Sequence, residues 1–493
     1  MLLIHPVREL VRSLPALLAL FLAGRSQGGE QWSLLGVAAV VALSVVKWLT
    51  TRYRITPDQV QLRTGLLRRR VVATPADRVR TVDVTAHPLH RLLGLAKVEV
   101  GTGISDRKRE GLVLDGLPAD AARRLRAELL HRDASVLPTA LDADWAAVPT
   151  PEPELELLRL DPRWVRYAPF TLSGVLTGLA IIGLGWRIIS QSQVDPNRIG
   201  AVETANRHLR DTPVVLDIVQ VTLAIAVFVS VLSVAGYALA FWNFRLTQHV
   251  QGGTLHVARG LITTRGTSIE MRRLRGVEMS EPLLLRLVGG ARLLAVTTGL
   301  RVGRGAERGG TLLVPPAPAA EVVRVGSIVL AGEVAMTGPI NALVCPLQQH
   351  GPAARRRRII RSLVPTLVLL ATAALLWRFA DAPGWLPVVA LVFVAVSVPL
   401  GLDRYAALGH RLAGPYLVSR FGSLVRRRVA LEVDGIIGWN LRQTFLQRRV
   451  GLTTLAATTA AGRQHYRLSD LESGYAAALA GQVTPELFDG LAD

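Results

Sequence analysis

The chain has 493 residues, half of them hydrophobic and only 5% aromatic, with a net charge of +20 and a mean hydropathy of +0.34. That length points to about three domains, and so apolar a composition excludes a polar, disordered chain and fits a protein with several spanning segments. Cys345 is the only cysteine, so no intrachain disulfide can form, and lysine occurs only at Lys47, Lys97 and Lys108.

The first apolar element runs from Pro6 to Gly24. Proline is well placed there as a first helical residue, because its missing N–H has no partner to lose. At about 1.5 Å per residue the stretch reaches about 28 Å, near the thickness of a hydrocarbon layer. Arg25 to Gln31 makes a short polar turn, and Trp32 to Leu49 is the second span, with Trp32 and Trp48 at interfacial positions. Residues 6–49 are therefore the first membrane hairpin.

The pattern then changes to period two, which marks half-buried strands. Strands are predicted around Tyr53–Thr56, Val60–Arg63, Val71–Ala73, Val79–Val84, Val98–Val100 and Leu112–Leu114. A helix from Pro118 to Leu130 places Leu117, Ala121, Leu125 and Leu129 on one face. This is a β-rich domain closed by one helix, over residues 50–132. Residues 133–163, rich in proline and glutamate, read as a linker.

Residues 164–242 hold the second hairpin, with spans over Pro169–Ile189 and within Val214–Trp242. Between them Asp195-Pro196 opens a short helix ending near Arg210. A second β-rich domain follows at 243–331, closed by a helix from Pro318 to Leu330, and a second linker at 332–358. The third hairpin occupies 359–402, with spans Ser362–Trp377 and Trp385–Leu402. The third β-rich domain is 403–483, and Ser469-Asp470-Leu471-Glu472 reads as the start of its closing helix.

The three β-rich stretches carry one repeated pattern. Gly65 and Gly94, Gly260 and Gly289, and Gly422 and Gly451 are each separated by 29 positions, and each second glycine ends a Leu-x-Arg-x-x-Gly motif. The recurring arginines are Arg91, Arg286 and Arg448. Equal spacing closed by one motif three times is the signature of an internal repeat. The glycines fit a positive φ or a close approach, and the arginines fit bonds to nearby carbonyls rather than a ligand contact. The second copy has a longer first turn than the other two.

No residues form a catalytic set: there is no Gly-x-Ser-x-Gly elbow, phosphate-binding Gly-Lys-Ser/Thr loop or His-Glu-x-x-His helix. No cofactor and no metal site are expected; His87 and His90 stand without a third ligand. The spans hold almost no ionisable residues at mid-depth, which argues against transport. Arg355, Arg356, Arg357 and Arg358 are candidates for anionic lipid, although orientation of the fifth span is their plainer role. The arginine-glycine tract Arg301–Gly310 reads as a solvated hairpin tip, and no nucleic-acid partner is expected. If six spans alternate, the basic flanks all fall on one side, which puts both termini and all three β-rich domains in the cytoplasm.

The His5-Pro6 helix, the segment Trp164-Val165-Arg166-Tyr167-Ala168-Pro169-Phe170 before the third span, and the strand pairs around Gly65 and Gly422 resemble the bacterial pleckstrin-homology (PH) domain membrane proteins of the YdbS/YdbT type. The resemblance runs from about residue 5 to 482. The second copy departs from it through its insertion and its apolar Leu283-Leu284-Leu285 run. The resemblance implies a polytopic inner-membrane protein with six transmembrane helices in three hairpins. Each hairpin would be followed by a cytoplasmic PH-like module, a bent antiparallel sheet with a C-terminal helix. It implies no phosphoinositide site. It implies a non-enzymatic scaffold that meets membrane lipids and either an unidentified protein partner or itself, linked to envelope stress or antimicrobial-peptide resistance. A transporter or lipid-handling membrane protein is the alternative.

Overall fold

A computed structural model describes residues 52–55, 59–64, 70–75, 81–86, 91, 94–101, 112–122, 125, 154–191, 214–249, 253–261, 263–298, 311–331 and 342–487. The first hairpin at 6–49, the short helix after Asp195-Pro196, Gly65, the His87/His90 pair and the Arg301–Gly310 tip lie outside them. The chain divides into two units, 1–159 with 243–272 and 299–301, and 160–242 with 273–298 and 302–493. The boundary falls inside the second repeat.

The first unit contains β1 (Arg52–Ile55), β2 (Gln59–Thr64) and β3 (Arg70–Pro75), an antiparallel sheet in that order. Its larger sheet takes β4 (Thr81–Ala86), β5 (Leu95–Gly101) and β6 (Leu112–Pro118) from the first repeat. It takes β8 (Arg245–His249), β9 (Thr254–Arg259) and β10 (Thr264–Glu270) from the second. The seventh strand, β7 (Glu154–Arg159), comes from the stretch read as a linker and pairs with β8 at the sheet edge. The order is β6-β5-β4-β10-β9-β8-β7. Ala96 and Val98 are buried while the intervening Lys97 is half-buried, as a pleated strand with one inner face requires.

The second unit repeats this plan. Strands β11 (Leu274–Pro282), β12 (Gly290–Thr297) and β13 (Leu312–Pro318) belong to the second repeat. They form one sheet with β14 (Gly409–Ala413), β15 (Tyr416–Phe421) and β16 (Val425–Glu432) of the third, in the order β13-β12-β11-β16-β15-β14. The remaining strands, β17 (Gly438–Arg442), β18 (Leu452–Thr458) and β19 (His465–Glu472), make a three-stranded sheet. Both large sheets therefore join the last three strands of one repeat to the first three of the next.

Among the described residues the α-helices of the second unit are α1 (Leu172–Gln191), α2 (Val214–Phe241), the one-turn α3 (Leu283–Leu287), α4 (Ala319–Ala331), α5 (Pro352–Phe379), α6 (Trp385–Ala406), the one-turn α7 (Phe445–Arg449) and α8 (Ser473–Val483). Among the described residues three helices are long and apolar enough to cross a membrane: Ile218–Phe241 in α2, α5 and α6. The 3-10 helix Pro162–Phe170 and Gly174–Gly185 of α1, bent by 62°, make a fourth if counted as one span. Their outward residues are apolar, as lipid contact requires: Leu223, Val231, Val368 and Val388 are all exposed. Helices α5 and α6 meet through small residues, with Ser362, Ala373, Ala390, Ser397 and Gly401 at buried positions.

Two further readings change. Helix α5 begins at Pro352, so Arg355 to Arg358 lie within its first turns and not ahead of it. The closing helix of the third repeat begins at Ser473; Ser469 to Glu472 belong to β19, whose alternation Tyr466, Leu468 places apolar side chains in the core. That core is shared by β15, β16, β18, β19 and α8, through Leu417, Leu431, Leu455, Leu471, Ala476 and Leu479 among others.

Candidate functional site

The repeated glycines share one geometry. Gly94, Gly289 and Gly451 have φ of 65, 72 and 67°, the left-handed region that a Cβ disfavours. Each donates its N–H to the carbonyl of the motif arginine: Arg91 (3.2 Å), Arg286 (3.0 Å) and Arg448 (3.3 Å). Each carbonyl accepts the N–H of the residue after the last strand, Ala119 (2.9 Å), Ala319 (3.0 Å) and Ser473 (3.0 Å). The motif thus ends a single helical turn and ties it to the start of the closing helix. A β-bulge recurs at matching places, at Ala96/Val98, Ala291/Leu293 and Thr453/Leu455. Gly260 and Gly422 have φ of 109 and 95°, and a Cβ there would collide with the carbonyl oxygens of Thr263 and Val425. The arginine side chains diverge. Arg91 donates to the Leu261 carbonyl at 2.6 Å, Arg286 to Asp403 at 3.3 Å, and Arg448 is exposed.

Three buried or half-buried acids organise the second unit. Asp470, on the β19 bulge, is 1% exposed and has φ of 64°. It accepts from Arg357, from Arg358 Nε at 2.7 Å and from Gln447 Nε2 at 2.9 Å. Two of the four consecutive arginines therefore fasten α5 to the third repeat, while Arg355 and Arg356 are exposed. Asp403, near the end of α6, accepts from Ser423 Oγ (2.7 Å), Arg426 (3.2 Å) and Arg286. Glu278 on β11 faces Arg427 (3.5 Å) and Arg463 (3.3 Å) of the third repeat. Burial pushes its carboxyl above the ordinary range, against the pull of Arg463 and Arg292.

A polar chain joins the segment before α5 to the same repeat. His350 Nδ1 lies 2.9 Å from the Ser469 carbonyl. A carbonyl only accepts, so that nitrogen carries the proton. His350 Nε2 lies 3.2 Å from His410 Nδ1, and His410 Nε2 lies 2.9 Å from the Tyr475 hydroxyl, whose one proton goes to Gln348 Oε1 at 2.9 Å. The Tyr405 hydroxyl donates to the His350 carbonyl at 2.5 Å. Burial lowers both imidazoles, His410 to about 4, so both are neutral near pH 7. Sequence reasoning missed Asp470, Asp403, Glu278 and the histidine pair. Their partners lie 20 to 185 positions away, beyond any local pattern.

One cavity of about 60 Å³ is lined by Thr171, Ser233, Tyr237, Phe241, Arg292 and Pro316, among others, and another of about 210 Å³ by Val84, Asn243, Arg259, Thr264 and Arg265, among others. Both are below the 300 Å³ or so of a small-molecule site. Among the described residues no group of three or more His, Cys, Asp or Glu side chains is placed to hold a metal. The arrangement is one of sheet joints and ionic clasps.

Comparison with known proteins agrees with this layout. The family model described as "Bacterial PH domain" matches residues 9–133, 198–325 and 359–486. The "UPF0699 transmembrane protein YdbT" of Bacillus subtilis (strain 168) is 24% identical over 271 residues, 53% of this chain and 52% of that protein. The alignment thus spans about half the length of that curated relative. No solved structure gives a significant match.

Proposed function

The chain belongs to the bacterial PH-domain family of membrane proteins, and from that premise we propose that it is a non-enzymatic, polytopic scaffold of the inner membrane. Its six spans form three hairpins, and the three PH-like modules, 50–132, 243–331 and 403–483, lie in the cytoplasm with both termini. The modules dock protein partners or one another, in service of envelope stress or antimicrobial-peptide resistance. The observation that carries this reading is the joining of consecutive repeats by continuous antiparallel sheets: a module edge of this fold binds another module edge through main-chain hydrogen bonds.

The arginine asymmetry supports the topology. The Ser/Gly/Ala packing of α5 on α6 supports a scaffold over a transporter, which needs a polar cavity among its spans. Arg355 and Arg356, exposed on the first turns of α5, would meet anionic headgroups at about 1 kcal/mol each.

Crosslinking in living cells from the module edges, followed by mass spectrometry, tests the scaffold: protein neighbours are expected, and recovery of lipid alone would overturn it. The sole thiol, Cys345, tests the topology. It should resist a membrane-impermeant maleimide in intact cells and react after permeabilisation.

A further inference from the structure

The two internal joints are the same joint. In the first, Val84 of β4 stands opposite Gly266 of β10; in the second, Met279 of β11 stands opposite Arg428 of β16. Val84 and Met279 each lie ten positions before the second glycine of their repeat. Gly266 and Arg428 each lie six positions after the first glycine of the following repeat. Fourth strand thus pairs with the next repeat's third strand, in one register, twice.

That rule leaves two strands over. β17 is the fourth strand of the last repeat, and among the described residues it pairs only with β18. β3 is the third strand of the first repeat, and among the described residues it pairs only with β2. The covered counterpart of β17 is buried: Val277 and Met279 of β11 are 0% and 6% exposed. On β17 itself Leu441 is 48% exposed, and the adjoining Ile437 is 61% exposed. An exposed apolar edge strand is a template for further pairing unless something blunts it.

We propose that β17 of one copy pairs antiparallel with β3 of a second copy, repeating the internal joint between molecules. This rests on the scaffold reading and names the second copy as the partner. The shared register puts Leu441 opposite Val71, which is itself 55% exposed, and Asn440 opposite Val72. The contact is heterologous, head to tail, so it builds a closed ring or an open row according to the rotation per copy. Arg442 falls opposite Arg70, where the internal joints set Ser280 against Arg427 and Thr85 against Arg265. Like charges directly opposed weaken a strand pair, so the joint between molecules is looser than those within one.

Disulfide trapping in native membranes tests the pairing, because opposed residues of antiparallel strands lie within disulfide reach. With Cys345→Ser as background, one tagged chain carries Val71→Cys and a differently tagged chain carries Leu441→Cys. Oxidation should link the two tags and should link neither chain to its own kind. A single chain with both substitutions should give a ladder of multimers. Thr74→Cys, three residues out of register, should link to Leu441→Cys at least fivefold less. Arg442→Ser, which restores the residue type of the internal joint, should raise the yield severalfold.

No product above the Thr74→Cys control overturns the proposal. So does intrachain closure without a ladder, or capture of Leu441→Cys solely by another protein. All three substituted positions lie on strand edges, and each variant is scored at matched membrane abundance. Other protein neighbours at the module edges without the 71–441 link would sink this inference and leave the scaffold reading standing.

Discussion

Arg358, in the second turn of a membrane helix, donates to Asp470 on the last strand of the third repeat, 112 positions away, at 2.7 Å. Asp470 also takes Arg357 and Gln447. Such a cluster is stabilising only while complete, because a lone charge at that depth has lost its water.

Asp470→Ala should therefore destabilise the third repeat by about 3–5 kcal/mol, the cost of leaving partly buried guanidinium groups unpaired. Asp470→Gly should cost nearly as much even though it relieves the positive φ, since the backbone relief is worth only about 1 kcal/mol. Thermal unfolding of the purified protein in detergent, followed by protease sensitivity of residues 403–483, distinguishes the two effects.

The repeated glycines should differ in tolerance. Gly451 has a positive φ but open space around the missing Cβ, so Gly451→Ala should cost about 1 kcal/mol. At Gly422 a Cβ would meet the Val425 carbonyl as well, and Gly422→Ala should cost about 3 kcal/mol. Equal losses in unfolding measurements would refute the distinction.

Acid should loosen the junction between α5 and the third repeat. The folded-state values of His350 and His410 lie below 6.5, so between pH 6.5 and about 4 the unfolded chain binds more protons than the folded one. Stability is then complete above pH 6.5 and falls as pH drops through that window, by up to about 3 kcal/mol for His410. His410→Gln should flatten the slope of melting temperature against pH in that range.

Two helical glycines should respond with opposite signs. At Gly401 of α6 a Cβ would lie 2.5 Å from Ser362 Oγ and 3.0 Å from Ile359 Cα of α5, so Gly401→Ala should force the hairpin apart and cost about 1–3 kcal/mol. At Gly481 of α8 nothing lies within 4 Å, and Gly481→Ala should stabilise by about 0.5–1 kcal/mol. Melting temperatures of the two variants give the check.

Much of the fold is legible in the residues because its rules are local. The second glycine of each repeat must adopt a left-handed φ wherever the helical turn ends, so the 29-residue spacing survives in all three copies. Alternation at Ala96-Lys97-Val98 marks a pleated strand from those three residues alone. Which strand pairs with which is not local, and periodicity carries no trace of it: nothing in Thr81–Ala86 names Thr264–Glu270 as its neighbour. The strand Glu154–Arg159 was hidden by surrounding prolines and by its acidic residues, which suit an edge as well as a linker. Asp470 looked like a helix cap because its companion arginines stand more than a hundred positions earlier.

Since each large sheet closes only when the following repeat supplies three strands, the order of synthesis sets the order of completion. The strands Thr81–Pro118 leave the ribosome well before Thr264–Glu270 exists to cover them. A message truncated after the first repeat would thus release a chain whose fourth strand stays raw, and lengthening the gene by one more repeat would move that seam without healing it.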